Sequence, residues 1–219
     1  INKIDFRYYD PSFKTINLSL FTNLTHLNFA NNRITELPEL PQSLIELNCS
    51  RNSLIQLPTL PQSLIKLDCS HNRFSLRQLP SLPQSLIELN CSNDSLEELP
   101  ELPQSLIELN CSDNILTQLP ALPENLESLF CQGNPLLSIP VLPKNLKKYW
   151  VSFDETFIKN NKIAKEYYAY YNHTWKSKNN MNKEHIDTLN NIAFDKTKLI
   201  IDLLAKNPKK RGGLEEKLV

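Results

Sequence analysis

Glycine is nearly missing, with three in 219 residues. A glycine-rich loop cradles phosphate with several glycines close together, so a nucleotide site of that kind is poorly supplied and none stands out. No apolar run reaches the roughly 20 residues that cross a bilayer as a helix, and no signal-peptide pattern stands at the start. No membrane partner is expected. The chain opens on Ile1, already inside a partial repeat, and so reads as a fragment or trimmed product. No two cysteines have Cys-x-x-Cys spacing, and His26, His71, His173 and His185 are scattered, so no metal or cofactor is expected. No nucleophile–base pair stands out, and the chain is read as non-enzymatic. Net charge is also lacking: 24 basic residues balance 24 acidic ones. The balance hides an asymmetry. Residues 1–36 carry four basic and three acidic residues, 37–154 carry seven and 13, and 155–219 carry 13 and eight. An acidic middle argues against nucleic acid as its partner.

What the chain does have is one sentence written repeatedly. Leu37 to Gln56 reads LPELPQSLIELNCSRNSLIQ, and near copies start at Leu57, Leu79, Leu99 and Leu119. Cys49, Cys69, Cys91, Cys111 and Cys131 set the spacing at 20, 22, 20 and 20 residues. The frame is L-P-x-L-P-x-x-L-x-x-L-x-C-x-x-N-x-L. Looser copies flank it: Leu24, Leu27, Phe29, Asn32 and Ile34 before, with Ile1, Ile4 and Phe6 one step earlier, and Leu146, Tyr149, Val151 and Asp154 after. Such a period means a solenoid whose turns stack on their neighbours.

Each part of the frame has a physical task. Leu44 to Cys49 is predicted to be a short strand. Side chains alternate across a strand, so Leu47 and Cys49 point inward, and Glu46, Asn48 and Ser50 outward. Stacked copies make a parallel sheet. The Asn32, Asn52, Asn72, Asn114 and Asn134 column can bond the backbone of the turn above or below. Asp94 interrupts it; a carboxylate accepts hydrogen bonds but donates none, so a weaker fourth repeat is expected. Twelve of 15 prolines lie in the L-P-x-L-P pairs. Proline fixes φ and lacks an N–H, which predicts an extended, polyproline-like return on the convex side and a shallow curve. The cysteines admit a metal site or disulfide ladder on one reading, and a column of small buried apolar groups on the other. Phe29 and Val151 take the same slot, which favours apolar volume. Five unpaired thiols imply a reducing compartment, so cytoplasm is expected.

The frame, with its L-P-x-L-P opening and short period, resembles the short bacterial class of leucine-rich repeats. That class is carried by the YopM- and IpaH-type effectors that pathogens inject into host cells; similar repeats occur in other bacteria and in large DNA viruses. The resemblance covers about two-thirds of the chain. It implies a leucine-rich repeat solenoid and an effector-like, virulence-associated interaction role, in the host cytosol if the protein is secreted. Secreted leucine-rich repeat proteins at large usually seal their ends with disulfide caps, and none is seen here. The IpaH branch adds a ubiquitin-ligase domain with a catalytic cysteine; no cysteine follows Cys131, so that activity does not carry over.

Four regions are expected: divergent repeats over 1–36, regular repeats over 37–154, a helical C-terminal cap over 155–206, and a flexible basic tail over 207–219. In the third, Ile163, Tyr167, Tyr170 and Tyr171 recur at helical spacing behind Asp154 as N-cap. Later segments, Lys183 to Ala193 and Asp195 to Lys206, continue the helical pattern to Pro208. A solenoid end needs covering, so a cap is one reading; a separate docking element is the other.

The outward sheet columns supply the candidate site. Most positions are Asn, Ser or charged. Glu46, Glu88 and Glu108 form an acidic strip with Lys148 further along. Phe130, Trp150 and Phe153 break the pattern with large apolar groups at the C-terminal end. Two readings follow: a scaffold that binds a partner protein on the concave face, or a structural component of a virion or homo-oligomer that uses the solenoid as a spacer. The aromatic residues are either part of the docking surface or covered by the cap.

Overall fold

The computed structural model describes residues 1–8, 17–72, 75–137 and 140–151. Phe153, the expected helical segment 155–206 and the tail lie outside the described residues. Eight parallel strands follow one another in sequence order in one sheet: β1 (Lys3–Asp5), β2 (His26–Asn28), β3 (Glu46–Asn48), β4 (Lys66–Asp68), β5 (Glu88–Asn90), β6 (Glu108–Asn110), β7 (Ser128–Phe130) and β8 (Lys148–Trp150). Each strand adds one solenoid turn. Register is constant: Ile4 faces Leu27, then Leu47, Leu67, Leu89, Leu109, Leu129 and Tyr149 in line. The 22-residue repeat does not disturb it. Its extra length falls after Asn72, where Leu76 N–H donates back to Asn72 O at 3.3 Å.

The strands are shorter than the six residues the alternation predicts, at three each. Bonding between turns nevertheless reaches further. Around β3 it runs from Ile45 N–H to Thr25 O (2.8 Å) through to Arg51 N–H to Ser70 O (2.8 Å). There the chain turns, and the turning residue has positive φ in every described repeat: Asn31, Arg51, His71, Asn93, Asp113 and Gly133, with Tyr8 one turn earlier. Asn, Asp and Gly at most of these positions were the available signal, since they tolerate the left-handed region best. At Gly133 (φ 71°) a Cβ would stand 2.3 Å from an Asp113 carboxylate oxygen. Arg51 has no such tolerance. Arg51→Asn is expected to stabilise the chain by about 0.5–1 kcal/mol, read as a higher urea midpoint; a lower midpoint would mean that the arginine side chain contributes more than its strain costs.

The interior is a stack of leucines closed by the cysteine column. Leu44, Leu64, Leu86, Leu106 and Leu126 have no exposed surface, nor do the five cysteines. Each buried leucine contributes on the order of 1.5–3 kcal/mol. Phe6 stacks on Phe29 with ring centroids 5.2 Å apart, and so extends the stack beneath β2. All five cysteines are free and buried. Burial pushes the Cys111 thiol up to about 12 and the others well above the ordinary range. The thiolate is the reactive form. Thiol titration should therefore find essentially none in the native chain and all five after denaturation; fast native reaction would contradict the packing.

Two polar ladders hold the turns together. The expected asparagine column bonds towards the preceding turn. Asn114 Nδ2 donates to Cys91 O (2.8 Å) and to Cys111 O (3.1 Å), while its Oδ1 accepts from Leu96 N–H (3.0 Å). Asn52 and Asn134 repeat the pattern. Asn32 keeps the donors, to Phe6 O and Phe29 O, but its Oδ1 is unpaired. The second ladder was not foreseen. Ser63 Oγ donates to Leu44 O, Ser85 to Leu64 O, and Ser105 to Leu86 O, each at 2.6–2.7 Å. Asn125 and Asn145 take the same position and donate to Gln104 O and Glu124 O. A constant Ser or Asn after the proline pair was its sequence signature.

Candidate docking surface

A groove of about 700 Å³ runs along the outer sheet face from β1 to Phe130. Two outward columns line it: Lys3, His26, Glu46, Lys66, Glu88 and Glu108, and beside it Asp5, Asn28, Asn48, Asp68, Asn90, Asn110 and Phe130. The serine column expected as a third surface row is instead buried: Ser50, Ser70, Ser92 and Ser112 keep only 3–6% of their surface exposed. The reason is local. Each serine hydroxyl donates to the side-chain oxygen two residues before it, as Ser50 does to Asn48 (2.7 Å) and Ser70 to Asp68 (2.7 Å). The serine's own backbone N–H donates to the same atom. The Asn and Asp side chains are thereby fixed in place as the groove floor.

The acidic strip is partly neutralised. Lys66 lies 2.7 Å from Glu88, and His26 3.5 Å from Glu46, an ion pair when the imidazole is protonated. The hydrogen bond to Glu88, with the charges of Glu88, Glu46 and Glu108, raises the Lys66 pKa. Glu108 has no ion pair among the described residues and stands one strand from β7. Asp5 and Asp68, which the strip did not include, also line the groove, giving five carboxylates against Lys3 and Lys66.

The aromatic end is built by register. Phe130 on β7 and Trp150 on β8 are direct cross-strand partners. Phe130 is half-buried and Trp150 is 48% exposed. The groove lining ends at Phe130, so Trp150 and Lys148 stand beyond it. Lys148 is exposed beside Ser128, which is itself buried. The structure thus brings Glu88, Glu108 and Phe130 onto neighbouring strands, sets Glu46 apart behind Lys66, and does not describe Phe153. Among the described residues no cluster of His, Cys, Asp and Glu has the geometry to hold a metal ion. No described helix is long and apolar enough to cross a membrane.

Comparison with known proteins places this architecture. The Leucine Rich Repeat family model matches residues 23–44. No curated protein matches by sequence. Among solved structures, YopM from Yersinia pestis is 42% identical over 70% of this chain and 42% of its own, with a TM-score of 0.65. YopM from Yersinia enterocolitica is 36% identical over 60% of this chain and 34% of its own, with a TM-score of 0.56. The chain therefore spans less than half the length of these YopM structures. A Shigella effector leucine-rich repeat domain is 32% identical, with 73% of this chain and 74% of that one covered and a TM-score of 0.62. With the proline-paired frame, the in-register parallel sheet and this coverage together, the chain belongs to the bacterial-type leucine-rich repeat family.

Proposed function

We propose that this chain is a non-enzymatic, effector-like scaffold that binds a partner protein on the groove face, near its C-terminal end, in a reducing cytoplasm. The observation that carries the reading is the pair of aromatic residues on adjacent strands, Phe130 and Trp150, where every other described repeat has Asn or Asp. Aromatic residues dominate interface hot spots. Glu108, next to them, and the carboxylate excess along the groove favour a basic partner and set its association rate more than its affinity. Lys148 flanks the aromatic pair and selects against a cation on that side. The expected helical segment 155–206 serves in this reading as the cap of the last turn.

Light scattering on the full chain over a wide concentration range tests the scaffold reading against self-assembly. A constant mass near the monomer's 25.3 kDa is expected. Growth into oligomers with concentration would overturn it in favour of a spacer in a larger assembly.

A further inference from the structure

Among the described residues, one position in the asparagine ladder holds a different side chain. Asp94 is 92% buried, counting from its 8% exposure. Its Oδ1 accepts from Asn72 N–H. Its Oδ2 has no hydrogen-bond partner. In the neighbouring turns the equivalent atom is an amide nitrogen, and it donates to two buried carbonyls: that of the cysteine in its own turn and that of the cysteine in the turn before. For Asp94 these are Cys91 O and Cys69 O. An ionised oxygen at this place would be a buried charge set among carbonyl oxygens, with no donor to satisfy it.

We propose that Asp94 is a neutral carboxylic acid in the folded chain, whose O–H replaces the ladder amide as donor to the Cys69 or Cys91 carbonyl, so that the middle of the solenoid is a proton-dependent joint. On this reading the side chain is not limited to accepting, since a protonated carboxyl has one donor. The surroundings support the neutral form. Burial raises the Asp94 pKa to about 8, against the hydrogen bond from Asn72 and helped by the charge of Asp68. The other titratable groups that face it are the thiols of Cys49, Cys69 and Cys91, themselves held neutral by burial. His71 precedes Asn72 in the chain, and Arg73 after it lies outside the described residues. Among the described residues, no cation forms an ion pair with Asp94.

The joint also coincides with the 22-residue step from β4 to β5, among regular repeats otherwise 20 residues long. At Asn52, Asn72, Asn114 and Asn134 the ladder oxygen accepts from a leucine or isoleucine N–H two residues beyond the preceding ladder residue; Asn72, for example, accepts from Leu54 N–H at 3.0 Å. The extra length after Asn72 removes that donor. Leu76 N–H turns back to Asn72 O, and Asp94 Oδ1 takes Asn72 N–H instead. Both departures from the frame thus meet at the contact between the turns of β4 and β5.

The folded pKa near 8 lies above the ordinary aspartate value of 3.8, so between these limits the folded chain holds a proton that the unfolded chain has released. Stability from this group is therefore greatest below the lower limit. It falls as pH rises through the window and levels off above the upper one. The folding equilibrium constant should weaken by up to about tenfold per pH unit inside the window.

Urea unfolding of the full chain across this window, compared with Asp94→Asn, reads the effect. The expected result is a wild-type midpoint that falls with pH relative to the variant, because all other groups cancel in the difference. Parallel profiles would overturn the proposal. If the variant fails to fold, carbon-13 NMR of the wild-type aspartate carboxyls decides: one resonance titrating near 8 is expected, and titration of every aspartate in the ordinary acidic range would overturn it.

Discussion

Asn114→Ala should destabilise the chain by about 2–4 kcal/mol, although it removes only one small side chain. The substitution strands the buried Leu96 N–H and takes the ladder amide from the buried Cys91 carbonyl, while the Cys111 carbonyl keeps Asn134 Nδ2 at 2.9 Å. No water reaches them, since Asn114 keeps 5% of its surface exposed and both cysteines keep none. A buried polar group without a partner costs more than an average hydrogen bond contributes. Urea unfolding measures the change. Asn114→Asp adds a sharper comparison, because it places at this position the group that Asp94 holds in the preceding turn. It should be far less harmful at acid pH than at alkaline pH, as the protonated acid keeps one donor. A loss within about 0.5 kcal/mol for the alanine variant, as for an ordinary surface substitution, would mean that the ladder does not hold the turns together.

The second large effect concerns binding. Phe130→Ala combined with Trp150→Ala should weaken a partner's affinity by roughly 1,000-fold, taking about 2 kcal/mol for each truncated aromatic anchor. The fold should survive. Leu129 and Tyr149, not their aromatic neighbours, fill the interior of β7 and β8, and both are fully buried. Circular dichroism checks this. Glu108→Gln should act differently: it should slow association and flatten its salt dependence while leaving dissociation nearly unchanged, as rim charges do. Unchanged affinity in the folded double variant would remove the aromatic pair from the interface.

Much of the architecture could be read from period and chemistry alone. A 20-residue spacing of cysteines and leucines admits few solutions, and the inward positions Leu47 and Cys49 follow from alternation. What alternation does not carry is how one side chain covers another. Ser50 points away from the core as the pattern requires, yet Asn48 bends over it, and the row is lost as a surface. Pairing along the sheet was equally invisible without register: Lys66 and Glu88 are 22 residues apart in sequence and 2.7 Å apart in the fold. Asp94 was legible as an exception in a column, but the sign of its effect depends on burial, which turns an acceptor into an acid that donates. The aromatic pair needed only the outward column and a look for departures from it. What lies over that pair depends on segment 155–206, whose helical pattern predicts an element but fixes no contact.

The central claim is that partners meet this solenoid on the groove face at its C-terminal end. A photo-cross-linking residue at position 130, in the groove, and another at position 141, on the return side between Pro140 and Pro143, test it in one experiment. Val141 is 74% exposed and Phe130 is half-buried. The full chain carrying either residue is irradiated in the same cytoplasmic extract, and the adducts are compared on a gel. A discrete adduct at 130, absent at 141 and lost when Trp150→Ala is added, is the predicted result. An adduct equal or stronger at 141, or one at 130 that survives Trp150→Ala, would contradict it.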